Sequence, residues 1–143
     1  MNTPVRRRFY VVGAAILSLI GLSILGGCAS FYPPLSNDEI RLRFKGYPLP
    51  LSTVVSLKER PFHYVDTGDA NKPVVVFIHG APGAWDAFAD FLKNRRLRDR
   101  ARLISVDRPG YGRSGLGDPE RSLAVQAEVI SHVFKHNPIG QKT

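Results

Sequence analysis

Only one cysteine, one tryptophan and one methionine occur among the 143 residues. The lone cysteine, Cys28, excludes an internal disulfide and leaves a cysteine-rich metal site without its ligands. Acidic residues are the minority, 12 against 20 basic ones, which at first suggests a polyanion partner. Arg6, Arg7 and Arg8 lie ahead of a long apolar run, however, and setting them aside leaves 17 basic groups against 12. The other arginines gather at Arg95, Arg96, Arg98, Arg100 and Arg102, with no interleaved aromatic residue to stack on bases. They read as a solvated helix end, where cations complement the C-terminal dipole, so no nucleic-acid partner is expected. No internal repeat is present. With 43% hydrophobic and 22% charged residues, the balance is that of a globular chain rather than a disordered one.

The beginning is organised for export. Three arginines precede 19 uncharged residues, Phe9 to Gly27, in the pattern of the basic and apolar regions of a signal peptide. The run closes on Leu25-Gly26-Gly27-Cys28, which resembles the bacterial lipobox. That resemblance implies cleavage before Cys28 and a thioether from its sulfur to diacylglycerol, so that the membrane is a partner through lipidated Cys28. The alternative is a plain signal anchor, since roughly 17 to 25 apolar residues can span a bilayer. Either way the arginines stay inside and the rest of the chain is expected outside the cytoplasm. In a diderm host, Ala29 after the lipid-bearing cysteine resembles lipoproteins sent to the outer membrane.

The expected organisation is a signal peptide over 1–27, a tether over 28–50 and a folded domain over 51–143. The tether holds Pro33, Pro34, Pro48 and Pro50. Its Ser36-Asn37-Asp38-Glu39 stretch suits the cap of one helical turn, with no sustained apolar period behind it. Val54–Leu57 and Phe62–Val65, separated by Lys58-Glu59-Arg60-Pro61, predict a β-hairpin. Val74–Ile78 is an uninterrupted apolar run, read as a strand buried on both faces of a parallel sheet. A helix from about Ala84 carries Trp85, Phe88, Phe91 and Leu92 as its stripe, Leu103–Val106 is a second buried strand, and Leu123–Lys135 a second helix. In that second helix Leu123, Ala127, Ile130 and Phe134 share the expected buried face, Ser122 is the N-cap and Asn137-Pro138 the stop. Strand and helix alternate, so the fold class is α/β with helices packed on a mostly parallel sheet.

Two loops carry the chemistry. After the first apolar strand comes His79-Gly80-Ala81-Pro82-Gly83, and after the second Asp107-Arg108-Pro109-Gly110-Tyr111-Gly112-Arg113-Ser114. Together, with one helix between them, they resemble the oxyanion loop and the Asp-Arg-x-Gly-x-Gly-x-Ser loop of α/β-hydrolases, over roughly Pro61 to Phe134. The resemblance implies a partial α/β-hydrolase fold of N-terminal strands and the first two helices. It implies that the backbone N–H of Ala81 faces a developing oxyanion, with Gly80, Pro82 and Gly83 shaping the turn and a cis bond before Pro82 fitting it. It gives the second loop a structural role, with Asp107 and Arg108 pinning the strand end and Gly110, Gly112 and Ser114 completing the turn.

Other patterns in the chain carry less. Gly110-Tyr111-Gly112-Arg113-Ser114-Gly115 fits G-x-G-x-x-G, yet Leu116-Gly117-Asp118-Pro119 separates it from any helix, so no dinucleotide cofactor is expected. His132 and His136 stand four apart without a glutamate or third ligand and read as surface histidines, with no metal site. His63 reads as a packing residue. No Gly-x-Ser-x-Gly occurs, and in the family the nucleophile elbow, acid and histidine follow the second loop. The expectation is therefore a truncated, inactive N-terminal portion of a hydrolase whose full-length parent cleaves an ester, amide or related small-molecule bond. A lipid-anchored, non-enzymatic binding protein is the alternative. Ala81, without a side-chain donor, disfavours dehalogenase-like members, which tend to place asparagine there. Where the elbow strand is missing, Val74–Ile78 is left an open apolar edge and poor solubility is expected.

Overall fold

The structure, a computed structural model, describes residues 33–136. The expected leader, Cys28 and the Asn137-Pro138 stop lie outside the described residues, as do the side chains of 133–136.

Four strands form one sheet in the order β1-β2-β4-β3, with β1 Leu51–Leu57, β2 Arg60–Asp66, β3 Val74–Ile78 and β4 Arg102–Val106. The predicted hairpin is there. β1 and β2 pair antiparallel from Leu51 opposite Asp66 to Leu57 opposite Arg60. Lys58 (φ 50°) and Glu59 (φ 63°) alone make the turn, both in the left-handed region that a two-residue hairpin of this hand requires. Pro61 sits in β2 opposite Ser56, clear of the Tyr64–Asp66 stretch where β2 meets β4, so its missing N–H leaves no gap in that ladder.

β4 pairs antiparallel with β2 and parallel with β3. The sheet is thus mixed, one parallel pairing against two antiparallel ones, rather than mostly parallel. All five residues of β4 are buried, Leu103 to Val106 as read from the sequence and Arg102 against its reading, and β3 is not the doubly buried strand its apolar run suggested. Among the described residues β3 has a neighbour on one side only, leaving Val75 41% and Ile78 52% exposed.

Two layers cover the sheet. On one face a 3₁₀ turn Trp85–Phe88 runs into α2 Ala89–Lys93 and α3 Arg95–Arg100, where one longer helix was expected. Asn94 breaks the run: it caps α3 by accepting from Leu97 N at 3.2 Å. Trp85, Ala89 and Leu92 enter the core with Val65 and Leu103, while Phe88 stacks on Phe77 and Phe91 lies tilted against it instead of joining that stripe. On the other face α4 Leu123–His136 packs Ile130 and Val129 against Val74, Val76, Ile104 and Val106. Ser122 Oγ accepts from Val125 N at 3.4 Å, in the manner of the expected cap. Of the face read for α4, Ile130 is buried as expected, but Leu123 is 77% exposed and Ala127 is exposed, and Gln126 is buried beside Ile130 instead.

The span read as a tether contains a helix, α1 Asn37–Arg43. Ser36 and Glu39 form a full capping box: Glu39 N donates to Ser36 Oγ at 3.3 Å and Ser36 N to Glu39 Oε2 at 2.8 Å. Ile40 and Phe44 are buried, and the Phe44 ring stacks on Trp85 at 6.3 Å between centroids. Burying two such side chains contributes about 3–6 kcal/mol, so this helix belongs to the folded domain.

Candidate functional site

Both loops leave the same end of the parallel pair, His79–Gly83 after β3 and Asp107–Ser114 after β4. His79 joins them. Its Nε2 accepts from Arg108 N at 3.1 Å and its Nδ1 lies 2.6 Å from Gly80 O, an arrangement that fixes the proton on Nδ1. The Arg108 guanidinium donates to His79 O at 3.4 Å and to Gln126 Oε1 at 3.0 Å, and sits 5.1 Å over the Tyr111 ring. Gln126 in turn donates to Glu120 O at 2.7 Å, which explains why a polar residue holds the buried face of α4. The Ala81–Pro82 bond is cis, as anticipated. Gly80, Ala81 and Pro82 are exposed, and among the described residues the Ala81 N–H enters no backbone hydrogen bond. Gly83 is buried, and a Cβ there would lie 3.1 Å from His79 Nδ1.

Burial lowers the His79 pKa from its ordinary value of 6.5, because the charged ring is poorly solvated there. The unfolded chain then binds the proton more readily than the folded one. The stability contributed by neutral His79 is complete above about pH 6.5 and is lost as pH falls through the depressed folded value. Denaturant midpoints measured at pH 8 and pH 5.5 should fall toward acid, and the fall should be smaller in His79→Asn than in the parent chain.

Asp107 is the organising residue of the second loop. Fully buried, it accepts from Trp85 N at 2.7 Å through Oδ1 and from Arg113 N at 2.9 Å through Oδ2, and Oδ2 lies 2.7 Å from His63 Nδ1. Ser114 closes the loop: its Oγ donates to Asp107 O at 2.9 Å and accepts from His63 N at 2.8 Å. Gly112 (φ +50°) runs so close that a Cβ would stand 2.3 Å from Asp107 Oδ2, and at Gly110 (φ +90°) a Cβ would stand 2.2 Å from Pro119 Cα. These two glycines are there because backbone occupies the space a side chain would need.

His63, read from sequence as a packing residue, is instead a buried link. Its Nε2 lies 2.9 Å from Ser52 Oγ, so Ser52, His63 and Asp107 line up in the order of a nucleophile relay. Ser52 Oγ also accepts from Arg113 Nη1 at 3.2 Å, and Arg113 is held by Asn37 Oδ1 at 2.8 Å. The hydroxyl is therefore enclosed in a network tying α1, the hairpin and the second loop, and its role is structural. Forty-four residues separate His63 from Asp107. The only hint in the sequence was a histidine in a strand of otherwise apolar and aromatic neighbours.

Arg102, grouped with a solvated arginine cluster, is a second correction. It points inward from β4 and forks onto Asp66, Nε to Oδ1 at 2.9 Å and Nη2 to Oδ2, with both side chains buried. Hydrogen bonding to Asp66 raises the Arg102 pKa further above its already high ordinary value. Among the described residues no group of three His, Cys, Asp or Glu side chains could hold a metal ion, and His132 is half-buried.

Comparison with known proteins agrees with this geometry. Residues 75–140 match the model of the alpha/beta hydrolase family. The chain is 38% identical over 63 residues to epoxide hydrolase 1 of Caenorhabditis elegans, a match covering 44% of this chain and 15% of that protein. It is 36% identical over 53 residues to epoxide hydrolase 4 of Mus musculus, covering 37% of this chain and 14% of that one. Among solved structures, a bacterial membrane phospholipase A superposes with a TM-score of 0.55 at 20% identity, over 90% of this chain and 40% of the other. The thioesterase domain of the curacin biosynthetic pathway does so with a TM-score of 0.51 at 19% identity, over 62% and 33%. The chain carries part of the α/β-hydrolase fold, and its residues 75–140 match that family. It spans about one-seventh of the length of the curated relatives it matches.

Proposed function

We propose that residues 33–136 supply the oxyanion-side portion of a hydrolase active site, and that a nucleophile from outside residues 1–143 completes it. The supporting observation is the Ala81 N–H, exposed at the tip of β3 and engaged in no backbone hydrogen bond among the described residues. An acyl or alkyl transfer that develops negative charge on oxygen needs such a donor, and removal of one typically costs about 100- to 1000-fold in rate. His79, Arg108 and Asp107 hold the loop without touching the reacting atoms. The substrate class is an ester, amide, epoxide or related small molecule cleaved through a covalent intermediate; the epoxide comes from the relatives' names.

The sequence contains no Gly-x-Ser-x-Gly, so the 143-residue chain alone is proposed to be inactive. Incubated with p-nitrophenyl esters or a chromogenic epoxide, it should release product no faster than buffer does. A burst of p-nitrophenol that disappears in Ala81→Pro would overturn this. A lipid anchor at Cys28 and an extracytoplasmic, membrane-bound location are part of the same proposal, resting on the arginine, apolar-run and Leu-Gly-Gly-Cys order. Mass spectrometry of the mature N-terminus tests them, a diacylglyceryl-modified Cys28 being the expected result.

A further inference from the structure

A groove of about 810 Å³ lies where the segment after α1 meets the junction of α2 and α3, lined by Tyr47, Pro48, Lys93, Arg95, Arg96 and Arg98 among others. Four of these six side chains are cationic. Asp99 is the one carboxylate in the lining, at 3.8 Å from Arg95 Nε, and both side chains of that pair are largely in water. Lys93 is paired with Asp90, 3.0 Å away, and its Nζ also sits 5.6 Å above both the Phe44 and the Tyr47 rings. Arg98 donates to Pro48 O at 3.1 Å and to Leu92 O at 3.2 Å, which fixes the segment against the helices. Beside this charge the chain exposes apolar groups: Tyr47 is 53% and Leu49 54% accessible.

We infer that this face docks on an anionic phospholipid surface, with Tyr47 and Leu49 entering the headgroup layer and Arg95 and Arg96 meeting lipid phosphates. Cations flanking a tyrosine and a leucine are what a bilayer interface selects, because the aromatic ring tolerates the headgroup region and the apolar group is buried below it. A polynucleotide would instead need a track of phosphate contacts and further exposed rings to stack on, whereas Tyr47 is the one aromatic residue lining this groove. The inference rests on the membrane anchor proposed at Cys28. Eight residues, 29–36, separate Cys28 from Asn37, at most about 30 Å of extended chain, so an anchored protein keeps the domain that carries this face at high effective concentration beside the lipid.

The test uses the full chain, extracted from membranes and reconstituted into phosphatidylcholine vesicles with or without 30% phosphatidylglycerol. Co-sedimentation with both vesicle types reports the anchor. Amide hydrogen exchange reports the face: residues 45–50 and 93–99 should exchange at least threefold more slowly on the anionic vesicles than on the neutral ones. Arg95→Glu/Arg96→Glu, two exposed positions, should abolish that difference while sedimentation and the circular dichroism spectrum stay unchanged. Equal exchange in the two lipids overturns the docking face, whether or not the chain sediments. So does protection that survives the double substitution, protection reproduced by 10 mM inorganic phosphate without vesicles, or stronger protection by a single-stranded oligonucleotide than by anionic vesicles.

Discussion

Asp107→Ala is expected to unfold the domain rather than loosen one loop. The carboxylate satisfies two backbone N–H groups, of Trp85 and Arg113, and orients the buried His63 ring. Each buried donor left without an acceptor costs about 1–3 kcal/mol, and with the His63 contact the total is about 4–7 kcal/mol. A domain of this size has about 5–15 kcal/mol in all. Asp107→Asn keeps one acceptor oxygen but presents an amide N–H₂ to at least one of these donors, and its cost is about 2–4 kcal/mol. Urea unfolding followed by Trp85 fluorescence measures both, since that indole is buried against the elements that would separate. An alanine variant that unfolds within about 1 kcal/mol of the parent would show that the network is not cooperative.

The second large effect is at the Asp66–Arg102 pair. Arg102→Met should destabilise by about 3–5 kcal/mol, because Asp66 is then a buried carboxylate that keeps the Gly68 N donor at 2.8 Å but has lost its charged partner. The penalty comes from leaving that buried carboxylate without its guanidinium partner, so removing the carboxylate as well should relieve it. Asp66→Asn/Arg102→Met should recover more than half of the loss. Urea titrations of both variants at pH 7.5 decide it, and a double variant no more stable than Arg102→Met would remove the buried charge as the cause.

How far the sequence was legible follows from what each element depends on. The hairpin, both strands of the parallel pair and the two loops were readable, since β-branched runs and the His-Gly and Asp-Arg motifs are local signals. α1 was not readable as part of the fold, because seven residues offer only Ile40 and, just beyond, Phe44, too few to establish a period. The buried face of α4 was misread because one of its positions is Gln126, made compatible with burial only by Arg108 and Glu120 from another loop. Likewise Arg102 looked like the end of a basic cluster until the fold brought Asp66 beside it. His63 is the same kind of miss. Gln126, Arg102 and His63 are each a polar residue whose partner comes from another element, and no periodicity encodes such a pairing.

The placement of helices on opposite faces of the sheet has a topological corollary. The connection from β3 to β4 passes over one face, through Trp85 and α2, and α4 leaves β4 over the other. With crossovers of the usual hand, reversing the face reverses the direction of travel, so a further parallel strand reached through α4 would be laid down beyond β3, not beyond β1. With such a strand the winding would change sense at β3. In open sheets the cleft that receives small molecules forms at the carboxyl end of that reversal, and here that end is the His79–Gly83 loop.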